Sequence, residues 1–121
     1  MLINLSNHPS DNWSDLQIKT ANELYGKVVD IDFPQIPPEA DEDLIAALAN
    51  DYKDICLDVI SSSNDKNNAI HIMGELTFCF ALVRELKKLN ITCVASTTNR
   101  MLTESKGLKL SEFSFVRFRM Y

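Results

Sequence analysis

The sequence predicts an α/β fold, a Rossmann-like three-layer sandwich built on a mainly parallel sheet of about five strands. Two observations predict it. Short apolar runs alternate along the chain with helix-patterned stretches of 12–20 residues, the layout of βαβ units with right-handed crossovers. Three of the runs also end in a burst of small polar residues. Leu2-Ile3-Asn4-Leu5 passes into Ser6-Asn7-His8-Pro9-Ser10, Ala69-Ile70-His71-Ile72-Met73 into Gly74-Glu75, and Ile91-Thr92-Cys93-Val94-Ala95 into Ser96-Thr97-Thr98-Asn99-Arg100. If the runs are parallel strands, all three bursts lie at the carboxyl edge, where open α/β sheets bind ligands.

Residues 2–6 form the first strand. Ser14 supplies the N-cap of a helix over about 14–25, with Asp15 in the first turn and Gln17 at the capping-box position. Its apolar stripe is Trp13, Leu16, Ala21, Leu24 and Tyr25, and Gly26 ends it as a C′ glycine. Lys27 to Phe33 alternates around Val29, Ile31 and Phe33 as strand two. The prolines of 34–40 keep that segment from being helical. Asp41 then caps a second helix, whose Leu44, Ile45, Leu48, Tyr52, Ile55, Cys56 and Val59 recur at helical spacing.

Ser61 to Asn68 is a polar loop, 69–73 the third strand, about Glu75 to Leu89 the third helix and 91–96 the fourth strand. Residues 97–112 read as a less regular stretch before a final strand over 113–121. The expected order is 2-1-3-4, with strand five antiparallel at the edge beside strand four. Residues 1–121 make one domain of ordinary size.

The third helix departs from the amphipathic pattern. Leu76, Phe78, Cys79, Phe80, Ala81, Leu82, Val83, Leu86 and Leu89 spread around most of its circumference, which implies burial on more than one side. The final strand and its loop cover it, or a second subunit does, or it is simply the central helix of a thick core. The reading leans towards a homodimer, because a small domain has little chain left to cover that helix.

Composition excludes several classes. Hydrophobic content of 45% and charged content of 24% are those of a globular protein. No apolar stretch approaches the roughly 20 residues of a membrane helix, and the chain opens in a strand without a secretion signal, so a cytoplasmic location is expected. A net charge of −5 argues against binding long nucleic acid, which needs a broad basic surface. Cys56, Cys79 and Cys93 sit in apolar patterns with spacings of neither a disulfide framework nor a zinc site, and read as buried thiols.

The 2-1-3-4 order reverses between strands one and three and opens a crevice there. Ser6, Asn7, His8 and Ser10 flank it on one side, Gly74 and Glu75 on the other, and Thr97, Thr98, Asn99 and Arg100 enter from the adjacent strand. Gly74 permits close backbone approach to a helix N-terminus suited to phosphate. Thr97, Thr98 and Asn99 add neutral donors, and Arg100 offers a planar fork for phosphate oxygens. A phosphate-bearing, nucleotide-like ligand follows, with no cofactor and no metal.

Plainer roles compete for several of these residues. Ser10 and Asn7 serve equally well to close a turn, Glu75 to favour the helix dipole, Trp13 as a hydrophobic staple, and His71 as a packed core histidine. Asp30 and Asp32 read as a solvated sheet edge. There is no Walker loop, no G-x-G-x-x-G, no G-x-S-x-G and no paired metal-binding histidines, and receiver domains would need acidic residues where Ser6-Asn7-His8 stands.

With Ile3-Asn4-Leu5-Ser6-Asn7-His8-Pro9, the Met73-Gly74-Glu75 helix entry and the closing Val94-Ala95-Ser96-Thr97-Thr98-Asn99-Arg100, the chain resembles the minimal CARF-type (CRISPR-associated Rossmann-fold) proteins encoded beside type III CRISPR systems. The resemblance implies a dimer that binds a cyclic oligoadenylate second messenger across its two-fold axis. It implies removal of that signal, either by metal-independent cleavage as in ring nucleases or by sequestration as in sponges. Cleavage would be in-line attack by a ribose 2′-OH on the adjacent phosphate. Arg100 and the Gly74 amide region would stabilise charge, and His8 would transfer a proton. The competing expectations are a regulatory interaction protein without a nucleotide and a small-molecule enzyme on the same fold.

Overall fold

The computed structural model describes residues 1–121, apart from the side chain of Ser111. The strands are β1 (Leu2–Ser6), β2 (Val28–Asp30), β3 (Ala69–Met73), β4 (Thr92–Ser105) and β5 (Leu108–Met120). The helices are α1 (Asp15–Tyr25), α2 (Glu42–Ser61) and α3 (Leu76–Lys88). The sheet order is β2-β1-β3-β4-β5, parallel except for β5, which runs antiparallel to β4 at the edge, as the sequence predicts.

Strand parity divides the core into two. Ile3, Leu5, Ile70, Ile72 and Cys93 point to one face, where α2 and α3 cover them with Ile45, Ala49, Cys56, Phe78, Leu82 and Leu86. Leu2, Ala69 and Val94 point to the other, against Ala21 of α1, Phe115 and Phe118 of β5, and the partly buried Trp13 and Tyr25. Ala21 is fully buried, its small side chain letting α1 lie close to the sheet. The three thiols are buried and unbridged, and burial pushes Cys56 up to about 12 and Cys79 and Cys93 up to about 11. No helix among the described residues is long and apolar enough to cross a membrane.

The helix caps follow the sequence. Ser14 Oγ accepts from the Gln17 amide (3.2 Å), and Asp41 Oδ1 accepts from the Leu44 amide (2.9 Å).

Two expectations need correction. Strand two is shorter than 27–33 and ends at Asp30, because Phe33 turns out of the ladder to pack its ring edge-on against Phe78, with centroids 5.3 Å apart. The stretch 97–112 is ordered as a long hairpin. β4 continues to Ser105, and β5 returns through a two-residue turn, Lys106-Gly107, whose φ values of 53° and 78° are those a type I′ turn requires. The periodicity hides this because Val116 is an extra residue opposite Thr97/Thr98, so the apolar set of β5 switches parity at that bulge. At Phe78, Cys79, Leu82, Val83 and Leu86, α3 fits the thick-core reading. The chain's own α2 and sheet bury those residues, and Leu76, Phe80 and Leu89 remain exposed.

Candidate functional site

A row of polar side chains crosses the α1 face of the sheet. Asp30 ends β2; its register partner on β1 is Asn4, and the partner of Asn4 on β3 is His71. Ser96 lies two residues beyond Val94, the register partner of His71, and so shares that face. The side chains bond in the same order. Asn4 Nδ2 donates to Asp30 Oδ1 (2.8 Å), Asn4 Oδ1 lies 2.9 Å from His71 Nδ1, and His71 Nε2 lies 2.5 Å from Ser96 Oγ.

The carboxylate end fixes the polarity of the row. Asp30 only accepts, and Asn4 Nδ2 also donates to the His8 carbonyl (3.0 Å), so the amide has one orientation. Its Oδ1 accepts from Ser6 Oγ (2.8 Å) and from His71, which assigns the imidazole proton to Nδ1. The Nε2 lone pair of the neutral ring then accepts from the Ser96 hydroxyl. Burial, with a smaller contribution from neighbouring His8, lowers the His71 pKa from 6.5 to about 4, so the ring is neutral at pH 7. Trp13 and Phe118 hold it edge-on, with ring centroids 5.1 and 5.7 Å away.

The outer end of this row opens into a cleft of about 450 Å³ at the carboxyl ends of the strands. His8, Asn12, Trp13, Gln17, His71, Met73, Ser96, Thr98 and Phe113 line it, with no carboxylate among them. Gln17 Nε2 reaches Ser96 Oγ at 3.4 Å, tying α1 to β4 across the cleft floor. The Arg100 guanidinium lies 6.0 Å from the centre of the Phe113 ring, at the hairpin side of the opening. A second cleft, about 440 Å³, lies between the ends of β1 and β2 and is acidic, bordered by Asp30 and Asp32 with Ser6, Asn7 and Gln35.

The expected site residues therefore part company. His8 and Thr98 border the first cleft and Arg100 stands beside it; Ser6 and Asn7 border the acidic one. Ser10 is bound to Asp30, its Oγ donating to Oδ2 at 2.8 Å. Thr97 holds the bulge together, its Oγ1 donating to the Arg117 carbonyl and accepting from the Arg117 amide, both at 3.2 Å. Asn99 is exposed on the hairpin opposite Ser114.

Gly74 has a reason in packing. A Cβ there would meet the Phe33 ring at 2.4 Å. Two of the free amides of the α3 N-terminus are also taken, since the Glu75 carboxylate accepts from the Thr77 and Phe78 amides, each at 2.9 Å. Bonds from the Thr77 hydroxyl and these amides hold the Glu75 carboxyl below its usual range. A phosphate at that terminus would displace a carboxylate already bound.

Asp30 is exposed on the edge strand, as expected, but its carboxylate is engaged by Asn4 and Ser10; His71, buried as expected, has both ring nitrogens engaged. Asn4, Asp30, His71 and Ser96 as a set escape a reading of one strand at a time. The available signal is positional: Val28-Val29-Asp30, Leu2-Ile3-Asn4 and Ala69-Ile70-His71 each carry a lone polar residue at the third place of an apolar run.

A family model described as "Uncharacterized protein MJ1673 family" matches residues 1–119, so the chain belongs to that family. Comparison with curated proteins and with solved structures found no match.

Proposed function

We propose that this member of the MJ1673 family binds a cyclic oligoadenylate in the cleft beside α1 and removes it from signalling, by metal-independent cleavage or by sequestration. One observation carries the reading. On a chain of net charge −5, this cleft is free of carboxylates and combines two aromatic side chains, Trp13 and Phe113, with the neutral donors Asn12, Gln17 and Thr98. Aromatic rings stack on bases, and neutral donors together with Arg100 suit phosphate oxygens. The acidic cleft next to it repels the same ligand.

A cleft of this size accommodates part of an oligonucleotide ring, so a second copy of the chain supplies the rest. The surface for it is the hairpin, where Met101, Leu102, Leu108, Leu110 and Phe113 are exposed. In the cleavage branch, a ribose 2′-OH attacks the adjacent phosphate, His8 at the cleft wall moves the proton, and Arg100 offsets the developing charge. The exposed apolar hairpin also favours a second reading, a regulatory interaction protein without a nucleotide.

Titration of the protein with cyclic oligoadenylates of several ring sizes, with product analysis in EDTA, tests the proposal. The expected result is saturable binding by one ring size, weakened about 10- to 150-fold by Arg100→Ala, the loss of one charge-assisted hydrogen bond. Binding with turnover in EDTA marks cleavage, and binding without turnover marks a sponge. A folded protein that binds no ring size refutes the proposal, and leaves the interaction reading.

A further inference from the structure

We propose that Ser96 is an activated nucleophile, the working end of an Asp30–Asn4–His71–Ser96 row, and that it takes up the phosphoryl group of a phosphoric ester bound in the adjacent cleft. This does not rest on the cyclic oligoadenylate reading, whose chemistry uses a hydroxyl of the ligand itself.

The geometry has the three parts of a nucleophilic centre: a hydroxyl, a base within hydrogen-bond reach, and a group that orients the base. The Ser96 hydroxyl is 2.5 Å from Nε2, and Asn4 Oδ1 holds the opposite ring nitrogen at 2.9 Å. Asp30 locks the Asn4 amide in the one orientation that leaves the Nε2 lone pair facing Ser96. Trp13 and Phe118 fix the plane of the ring. A row of this kind is not what a packed sheet needs, because apolar residues at these places would fill the same face without hydrogen-bond demands.

His71 is 2% exposed while Ser96 is half-buried and borders the cleft, so the base is shielded and the hydroxyl is reachable. The cleft that Ser96 borders is also lined by Gln17, Asn12, Thr98 and His8, several donors and no carboxylate. That suits a tetrahedral group with several oxygens better than a planar acyl group with one.

In the step itself, Ser96 Oγ forms a bond to phosphorus as the ester's phosphorus–oxygen bond breaks. The hydroxyl proton passes to His71 Nε2 and then to the departing alkoxide, giving an alcohol and a phosphoserine ester. Water, activated by the same Nε2, reverses the sequence and releases the phosphate. The transient imidazolium is stabilised by Asn4 Oδ1.

Diisopropyl fluorophosphate supplies the probe, with intact-mass measurement and peptide mapping of the full chain. A single adduct on Ser96 is expected in the folded protein and none at that residue in urea, since the row exists only in the fold. Ser96→Ala should abolish the adduct. His71→Gln, checked for folding by circular dichroism, should slow it by about a hundredfold. No adduct on the native chain, an adduct mapped elsewhere, equal labelling of Ser96 in urea, or an unchanged rate in folded His71→Gln would each overturn the proposal. The native-against-urea comparison decides the matter even where a variant does not fold. Failure here leaves oligoadenylate binding untouched, and failure of that binding leaves the Ser96 adduct as its own result.

Discussion

The two faces of the sheet are made from the same strands and do different work. On the α2–α3 face, Ile3, Leu5, Ile70, Ile72 and Cys93 pack with apolar neighbours such as Phe78 and Leu82. On the α1 face, the alternate residues of those strands include Asp30, Asn4, Ser6, His71 and Ser96, joined by hydrogen bonds. The contrast teaches that stability and chemistry are separated by a single step along each strand, since neighbouring residues of a β-strand point to opposite sides. The apolar face can be damaged only by loss of packing, whereas the polar face responds to protons.

The most severe break is expected on the apolar face. Phe78 is fully buried, with Phe33 and Tyr52 edge-on to its ring at 5.3 and 5.5 Å. Phe78→Ala should cost about 3–5 kcal/mol by the cavity it leaves, read as a lowered urea midpoint with little dependence on pH. A loss below about 1 kcal/mol would mean that α2 and α3 close over the gap, beyond the partial relaxation usual in such cores.

The polar face should show a pH signature of slightly smaller size. The native His71 resists protonation until about pH 4, while the unfolded ring titrates near 6.5. Between those values the unfolded state holds more protons, so stability is fully present above about pH 6.5 and falls as the pH drops towards 4. The loss over that window should be about 3 kcal/mol. His71→Gln should flatten this part of the curve while keeping the common loss below the carboxylate range, to which Glu75 contributes. Parallel curves for the two chains would show that the ring titrates normally in the fold.

The smallest of these effects belongs to the seam between the faces and the cleft edge. Gly74→Ala places a Cβ 2.4 Å from the Phe33 ring, so Phe33 must move or the strand end must shift. A cost of about 1–3 kcal/mol is expected for such overpacking, measured by thermal unfolding. A neutral Gly74→Ala would mean that Phe33 swings away freely, and would return Gly74 to consideration as a ligand-approach residue.

How far the sequence is legible follows from which signals are local. The caps at Ser14 and Asp41, the order 2-1-3-4-5 and the carboxyl-edge location all come from short-range patterns and connection rules, and the fold has them. The hairpin was hidden by one inserted residue, Val116, which breaks a period-two pattern that is otherwise present. The cover on α3 was hidden because an amphipathic reading of α2 says which residues face inward but not what they face. The site was only partly legible, since His8, Thr98 and Arg100 advertise themselves as polar residues after a strand, while His71 and Ser96 matter through register. Register is a property of two strands at once. Asn4 is opposite both Asp30 and His71, and no single run contains that fact.

The lengths of the two outer strands have a consequence for assembly. β2 offers three residues at one border of the sheet, followed by the prolines of 34–38, whereas β5 offers thirteen at the other. A short, proline-followed border is a poor template for another strand, and a long one is a good template. The outer half of β4 belongs with the long border, because its ladder with β3 ends at Val94 while the strand runs on to Ser105. Strand addition from another molecule therefore falls to the β4–β5 hairpin and not to β2.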